Sequence, residues 1–450
     1  MNYTTTTNGA VTNKTSGKEC LDLFNRIGNM RYEDRLHILE DFNKAYKEDK
    51  QLATQVLFWA RAAREGGGER KTFHTVLREI GEKSPAFISD NARTLAELGY
   101  WKDLLPYLNI QDVVSTFAHA IKEKDRLACK WAPRKCSVLR DELKMTNKEY
   151  RKWLKKHSET VEQVMSDKEW GEINYSSVPG TAMRKYGRAF TKQDEKRFDQ
   201  WKNDKTTKAA VGATYPHDIF KLDDISLADK QWDNLPNYLE NTDERILPMI
   251  DTSGSMFGEP MAIAIALGMY LAERNESEFK DMFLSFSEEP ELIKITGKDV
   301  MERMSNIQGA HWGMNTDFEK AYMHILRLAQ RHNVEKDSMP TMLLVLSDMQ
   351  FDQSQNHDGT HFSHMKDEYE MAGYDFPKLV FWNLSVYPGT PAECSDDNVA
   401  MVCGYNPKIM EAVLNAEDFS PMSVMLEALK AIELDYSNLP TIFKYNKETR

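Results

Sequence analysis

Hydrophobic residues follow two different periods in the two halves of this 450-residue chain. From residue 16 to about residue 210, apolar side chains recur at spacings of three and four, as at Leu52, Val56 and Trp59. This spacing is typical of amphipathic helices, and short polar turns separate the stretches. The first half is therefore predicted to be all helical, built from antiparallel helix pairs or a degenerate helical repeat.

In the second half, short apolar runs alternate with helical stretches. The predicted strands are 246–250, 281–287, 292–296, 342–347, 379–384 and 399–402, and the predicted helices are 261–274, 299–306, 318–332 and 361–371. Strands that alternate with helices predict a doubly wound, mainly parallel sheet. In such sheets ligands bind beyond the carboxyl ends of the strands.

Changes in pattern place the domain boundaries. Residues 1–15 are rich in Thr and Asn and are predicted to be a flexible N-terminus. Residues 16–210 form the predicted helical domain, the irregular and proline-containing residues 211–241 a connecting segment, and residues 242–450 the α/β domain. A length of 450 residues fits two domains with separate cores.

Composition indicates a soluble globular protein. Hydrophobic residues make up 41% and charged residues 28% of the chain, which is ordinary for that class. No apolar run approaches the roughly 20 residues of a spanning helix, and the N-terminus does not read as a signal peptide. We expect a cytoplasmic protein without membrane contact. The five cysteines include no C-x-x-C pair, which argues against both a disulfide framework and a zinc ribbon.

Charge is unevenly distributed. The net charge is −12, but residues 121–210 contain 23 Lys and Arg against 14 Asp and Glu, giving +9 there and −21 elsewhere. Such a basic block is typical of a nucleic-acid surface. A solvated helical face is the alternative, because Lys and Glu interleave. Aromatics among the cations, such as Trp131, Trp153 and Tyr186, either stack bases or form helix cores.

One loop suggests metal binding. Asp251, Ser253 and Ser255 follow the predicted strand 246–250, and alternate hard oxygen ligands at a strand end suit Mg²⁺ or Mn²⁺. Thr316 precedes the helix 318–332, and Asp348 follows the strand 342–347. These five residues form the predicted metal site. The alternative is that they are hydrogen-bonded turn and cap groups in a metal-free fold; neighbouring Asp317 is interpreted as a helix cap.

Two other motifs are set aside. The glycines 66–68 lack the Gly-Lys-Ser/Thr sequence of a phosphate-binding loop and are interpreted as a helix end and turn. His357, His361 and His364 form a histidine cluster without a nearby cysteine, and we interpret it as a solvated loop and helix start rather than a zinc site.

The arrangement Asp251-x-Ser253-x-Ser255, then Thr316, then Asp348, resembles the metal-ion-dependent adhesion site of von Willebrand factor A domains. The resemblance implies that the two serines and the threonine bind Mg²⁺ directly or nearly so. It also implies that the aspartates bind mainly through water, and that a partner's carboxylate fills the last position.

Over nearly its whole length, the chain resembles an uncharacterised family related to the Ro-like proteins, which join a TROVE helical-repeat ring to a von Willebrand A domain. The segments that carry the resemblance are 59–70, 99–105, 130–133, 148–152, 178–186, 347–352, 381–384 and 402–407. It implies binding of small noncoding or misfolded RNA through the helical domain. The chain departs from Ro in its acidic balance and in its charged segment 139–164.

These observations predict a non-enzymatic protein that binds RNA through its basic helical domain and a ligand through its Mg²⁺ site. The candidate RNA contacts are Lys130, Arg134, Arg151, Lys152, Arg184, Lys185 and Arg188. The alternative is a protein-interaction adaptor, in which the metal captures a partner's carboxylate and the helical domain is a scaffold. An enzyme is disfavoured because no nucleophile elbow or Ser-His-Asp order stands out.

Overall fold

The computed structural model describes residues 2–240, 242–285, 290–309, 318–351, 361–387 and 389–445. The strands are β1 Tyr3–Thr5, β2 Val11–Asn13, β3 Ile246–Ile250, β4 Met282–Ser285, β5 Leu292–Lys294, β6 Met342–Ser347, β7 Lys378–Asn383 and β8 Val399–Cys403. The helices are α1 Glu19–Ile27, α2 Arg35–Glu48, α3 Lys50–Arg61, α4 Lys71–Lys83, α5 Pro85–Asp90, α6 Ala92–Leu98, α7 Gln111–Lys122, α8 Arg126–Trp131, α9 Ser137–Glu142, α10 Asn147–Ser158, α11 Val161–Ser166, α12 Gly180–Asn203, α13 Pro216–Ile219, α14 Ile225–Asp233, α15 Glu259–Arg274, α16 Val300–Gln308, α17 Phe318–His332, α18 His361–Met371, α19 Ile409–Asn415 and α20 Pro421–Leu429.

Six strands form one sheet in the order β5-β4-β3-β6-β7-β8. All neighbouring pairs are parallel except β4 and β5, which are antiparallel. The predicted mainly parallel sheet is thus confirmed. The chain passes from β3 to β4 on one side and later to β6 on the other, so the topological switch lies at β3, where such sheets bind ligands.

The central strands β3 and β6 are buried at every residue, as expected for parallel strands covered on both faces. Helix α15 packs against β3, β4 and β6. At Gly268 of this helix, an added Cβ would lie 2.4 Å from Cδ1 of Ile250, the last residue of β3. A larger residue at this position would have to displace the buried Ile250 side chain, so glycine allows the close approach of the helix to the strand end.

The chain divides into two compact units. The α/β unit comprises residues 1–37 and 215–431, and the helical unit comprises residues 38–214 and 432–450. The predicted boundaries at 15/16, 210/211 and 241/242 differ from this division. The α/β unit includes residues 16–37, which were predicted to lie in the helical domain, and the helical unit includes residues 432–450, which were predicted to lie in the α/β domain.

The N-terminal residues, which were predicted to be flexible, form a β-hairpin. Strands β1 and β2 pair in antiparallel register, with Tyr3 opposite Asn13. Backbone bonds then join Asn13 to Thr390 in both directions, at 3.0 and 2.8 Å. Polar composition misleads here, because hydrogen bonds rather than a large apolar face hold the segment.

Two further segments join the α/β unit. Helix α1 packs against β8, where the Cys403 thiol donates to the carbonyl of Phe24 at 2.9 Å. In the predicted connecting segment, α13 and α14 form, and the indole Nε1 of Trp232 donates to Glu273 at 2.7 Å. Because Trp232 is buried and makes this specific contact, residues 215–240 of the segment are part of the α/β unit.

The C-terminal residues 432–445 belong to the helical unit. The Asn91 side chain donates to the carbonyl of Asp435 at 2.8 Å and accepts from its backbone N–H at 2.8 Å. The rings of Phe42 and Phe443 meet edge to face with centroids 4.9 Å apart. The predicted α/β domain of 242–450 is corrected accordingly.

Within the helical unit, the prediction for the glycine run is confirmed. Helix α3 ends at Arg61, and the backbone N–H groups of Gly66 and Gly67 donate to the carbonyls of Ala62 and Trp59. Gly68 adopts φ +62°. The run is thus a helix end and turn. Across the described ranges, none of the helices has the length and apolarity to cross a membrane.

A buried ion-pair network joins α3, α4 and the turn after α6. Asp103 is fully buried and accepts from Nε of Arg61 at 2.9 Å, while Nε2 of His74 lies 3.0 Å from its other oxygen. Burial would raise the pKa of Asp103, but the His74 hydrogen bond and the Arg61 charge outweigh this and lower the pKa below its ordinary value.

His217 of α13 is buried in the α/β unit and stacks against Tyr215, with its ring edge-on to Tyr405. Burial lowers the pKa of His217 to about 4. Nearby charges on Asp218 and Lys221 oppose one another and matter less.

We expect acid to destabilise the α/β unit through His217. Between pH 6.5 and about 4, the unfolded chain binds a proton at this residue and the folded chain does not, so the free energy of unfolding falls as the pH falls. The loss is up to about 3 kcal/mol. The free energy of unfolding, measured by urea denaturation across this pH range, should depend less on pH for His217→Phe. His332→Phe, at an exposed position on α17, should follow wild type. An equal pH dependence of stability in wild type and both variants would contradict this role of His217.

Candidate functional site

The first part of the candidate site follows β3 directly. The backbone N–H of Asp251 donates to the carbonyl of Leu346 at 3.0 Å and extends the pairing of β3 with β6 by one residue. The Asp251 side chain is completely buried. A 3₁₀ turn over Gly254–Met256 follows and leads to α15. The carboxylate is therefore fixed at the carboxyl edge of the sheet.

The second part follows β6, which lies beside β3. The hydroxyl of Ser347 donates to Oδ2 of Asp251 at 2.5 Å, and the backbone N–H of Ser253 donates to Oδ1 at 2.9 Å. Both oxygens of Asp251 thus have a protein donor that sets the orientation of the carboxylate. Asp348, the next residue along, is also buried.

The two serines predicted as ligands lie together. Oγ of Ser253 and Oγ of Ser255 are 3.0 Å apart. Asp348 accepts the backbone N–H of Gln350 at Oδ1, at 3.1 Å, while its buried Oδ2 has no well-formed hydrogen bond among the residues that the structure describes. A buried carboxylate oxygen without a partner is costly, and a bound cation would satisfy it.

Electrostatics also favour a positive ligand. Burial and, secondarily, the negative charge of Asp348 raise the pKa of Asp251 to about 6, although hydrogen bonds from Ser347 and Ser253 lower it. Burial likewise raises the pKa of Asp348, and the nearby Ser255 hydroxyl reduces that effect. A cation between the two carboxylates would relieve their repulsion.

Four of the five predicted metal ligands are thus brought together: Asp251, Ser253, Ser255 and Asp348. Thr316, with Asp317, lies outside the described residues. In the part of the chain that the structure describes, no group of three or more His, Cys, Asp or Glu side chains is placed to hold a metal. The predicted set contains only two carboxylates, so its remaining ligands would be hydroxyl groups.

Sequence reasoning missed two residues of this region, Ser347 and Gln350. Ser347 orients Asp251, and Gln350 engages Asp348 through its backbone N–H. A hydroxyl at the last position of a buried strand was the available signal for Ser347. His357 lies outside the described residues, as do the side chains of His361 and His364, so the interpretation of the histidine cluster stays a prediction.

The candidate RNA contacts fall on two parts of the helical unit. Arg151 and Lys152 are exposed on α10, which packs against α8. Tyr150 of the same helix donates its hydroxyl to the carbonyl of Pro133 at 3.2 Å, next to the exposed Arg134. These three cations are therefore near one contact between helices.

The other candidates lie on α8 and α12, and Lys130 and Lys185 lie near Glu162. Nζ of Lys130, which is half-buried, lies 3.9 Å from Glu162, and the hydroxyl of Tyr186 donates to the same carboxylate at 3.4 Å. Lys185 lies over the Tyr186 ring. Arg184 and Arg188 are exposed on α12. This second group is partly neutralised by its acidic neighbour.

The aromatic residues of the basic block are mixed in role. Tyr175 and Phe190 are buried core residues with ring centroids 5.3 Å apart. Trp153 is half-buried and donates its indole N–H to the carbonyl of Ile121 at 3.0 Å. Trp131 and Tyr186 are also half-buried. Packing therefore accounts for most of these rings.

The fold and the strand-end cluster define a protein with a helical unit and a mainly parallel α/β unit, whose candidate ligands lie at the carboxyl edge of the sheet. The chain belongs to the family described as "Domain of unknown function (DUF2828)", which matches residues 6–130 and 109–245, together more than half of the chain. Residues 246–437 match "Domain of unknown function (DUF7788)".

Two individual proteins are similar to this chain. The "Uncharacterized protein L728" of Acanthamoeba polyphaga mimivirus is 26% identical over 507 residues, covering 96% of this chain and 88% of the relative. The crystal structure of the Deinococcus radiodurans Ro (RSR) protein is 16% identical, covers 91% of this chain and 93% of that one, and has a TM-score of 0.36. That score is too low to establish a common fold. The TROVE and von Willebrand A assignments remain predictions.

Proposed function

We propose that the α/β unit holds a divalent cation, Mg²⁺ or Mn²⁺, in a site of von Willebrand A type, and that the protein uses it to capture a carboxylate of a partner. The supporting observation is the convergence of Asp251, Ser253, Ser255 and Asp348 at two adjacent strand ends, where the buried Oδ2 of Asp348 has no well-formed hydrogen bond within the described ranges. Hydroxyl and carboxylate oxygens are ligands that these hard cations prefer.

Each residue has a defined part in this proposal. Ser253 and Ser255 present their hydroxyl oxygens to the cation, and Asp251 and Asp348 supply its balancing negative charge. Ser347 orients Asp251 by donating its hydroxyl proton. The bound cation would supply an open coordination position for an anionic oxygen from the partner.

A binding role is preferred to catalysis. The four side chains supply oxygen ligands and negative charge, which suffice to hold a cation and its ligand. Cation coordination by itself does not supply the acid and base groups of an enzyme. The proposed protein is therefore a metal-dependent adaptor.

RNA binding through the helical unit is a second candidate function. The observation that favours it is the group of exposed cations Arg134, Arg151 and Lys152 around one helix contact, within a block of charge +9. Phosphate contacts of this kind give binding that weakens steeply with salt. A pull-down separates the two functions: a partner lost with EDTA supports the adaptor, and a partner lost with nuclease supports RNA.

We expect the double variant Arg151→Gln, Lys152→Gln to weaken binding of single-stranded RNA and to flatten its salt dependence. Losing two phosphate contacts should reduce the slope of log K against log salt by about 1.4. Fluorescence anisotropy over a salt series measures both effects. The matched control is Lys280→Gln, Lys298→Gln, two exposed lysines of the α/β unit. RNA binding that is absent, or that does not depend on salt, would remove this candidate.

A further inference from the structure

The N-terminal hairpin has a compact, defined turn. Between β1 and β2, the backbone N–H of Thr6 donates to the carbonyl of Ala10 at 2.9 Å, and the N–H of Ala10 donates back to the Thr6 hydroxyl at 2.9 Å. Gly9 adopts φ +93°, which favours glycine. The turn therefore presents its polar groups in a fixed arrangement.

These groups bind the segment that follows Asp348. The hydroxyl of Thr6 donates to the carbonyl of Phe351 at 2.6 Å. The backbone N–H of Thr7 donates to Oε1 of Gln350, and the Asn8 side chain donates to the Gln350 carbonyl, both at 2.8 Å. Thr6 and Gln350 are buried. Three hydrogen bonds from the hairpin thus hold Gln350 and Phe351, which lie more than 340 positions further along the chain.

The segment held in this way sets the orientation of Asp348. Met349 has φ +62°, a left-handed conformation that costs a non-glycine residue about 1 kcal/mol or more. Its backbone N–H donates to the hydroxyl of Ser347 at 3.0 Å, and the N–H of Gln350 donates to Oδ1 of Asp348 at 3.1 Å. External support at Gln350 keeps this strained turn in place, and the turn uses Oδ1 rather than Oδ2 of Asp348 as its acceptor.

The other end of the hairpin is anchored beyond β7. The hydroxyl of Thr12 donates to the carbonyl of Thr390 at 2.8 Å, and the Asn2 side chain donates to Glu393 at 2.8 Å. Strands β6 and β7 are parallel neighbours, so both attachments are made to segments that leave the carboxyl edge of the sheet. Residues 2–15 contain no Asp or Glu, so the hairpin contributes no carboxylate ligand to the cation.

We infer that the hairpin of residues 2–15 is a positioning element of the cation site, with Thr6 and Gln350 as its positioning residues. By fixing the turn at Met349, it holds the Asp348 carboxylate in the orientation that binds Mg²⁺ or Mn²⁺. This inference rests on the proposed cation site. It gives the N-terminal segment a role in ligand binding in addition to its role in stability.

The test is calorimetric titration of the full chain with Mn²⁺, using Thr6→Val and Gln350→Met. Both variants keep side-chain size and remove one hydrogen-bonding group at the contact. We expect each to weaken Mn²⁺ binding by about tenfold to a hundredfold, the usual range for residues that orient metal ligands. The matched control is Thr5→Val, the same change at an exposed neighbour, which should bind like wild type.

Stoichiometry separates positioning from loss of folded protein. A purely structural role would lower the number of binding sites per chain while the remaining sites keep the wild-type Kd, and this result would overturn the inference. Wild-type Kd and stoichiometry in both variants would also overturn it, while the proposed function would stand. If wild type itself binds no Mn²⁺, the proposed function fails and the inference falls with it.

Discussion

Asp251→Asn is expected to abolish binding of Mg²⁺ and Mn²⁺ and, at the same time, to stabilise the cation-free chain. Asparagine keeps the shape of the side chain, and its oxygen can still accept the Ser253 N–H. Asp251 is fully buried near Asp348. Removing its charge therefore removes the cost of burying that charge and its repulsion by Asp348. The gain in the free energy of unfolding is up to about 3 kcal/mol at neutral pH.

Scanning calorimetry with and without Mg²⁺ measures both effects. The free energy of unfolding of wild type should rise by about 2.7 kcal/mol at a cation concentration 100-fold above Kd. That of Asp251→Asn should not change. Asp367→Asn, at an exposed position on α18, is the matched control and should respond to Mg²⁺ as wild type does. An unchanged Mg²⁺ response in Asp251→Asn would contradict the assignment of Asp251.

The second large effect is expected in the helical unit at Asp103. Replacing Asp103 with alanine leaves the guanidinium of Arg61, which is itself buried, without its carboxylate. Removing one partner of a buried ion pair costs about 3–5 kcal/mol. Urea denaturation of the full chain should therefore show an early transition that wild type lacks.

An exposed pair provides the control for Asp103→Ala. Arg93 and Glu97 form an ion pair on α6 in which both side chains are more than half exposed. Glu97→Ala should change the free energy of unfolding by less than about 0.5 kcal/mol. Comparable losses in both variants would show that burial does not set the strength of the Asp103 network.

The elements of the sheet were predictable from the sequence because burial dictates their pattern. β3 and β6 are apolar at nearly every position, as strands covered on both faces must be, and their observed bounds equal the predicted 246–250 and 342–347. The positions of Asp251 and Asp348 at adjacent strand ends follow from parallel pairing. The local sequence pattern was therefore sufficient to predict the two strand ends at which the candidate site lies.

The rest depends on contacts between distant residues, which local pattern does not contain. Nothing around Thr6 indicates a hydrogen bond to Phe351, 345 residues away. The pairing of Asn91 with Asp435 likewise places the C-terminal segment in the helical unit only through its partner. Polar segments of this kind resemble flexible chain in composition, since their stability comes from specific hydrogen bonds.

Mn²⁺ titration of the EDTA-treated full chain, followed by electron paramagnetic resonance, tests the central claim most directly. Free Mn²⁺ gives a strong signal that diminishes on binding to protein, so bound ions can be counted. The proposed site predicts one saturable Mn²⁺ per chain, displaced by excess Mg²⁺ and absent in Asp251→Asn. A signal that stays equal to that of free Mn²⁺ at every protein concentration would contradict the claim that this strand-end cluster is a cation site.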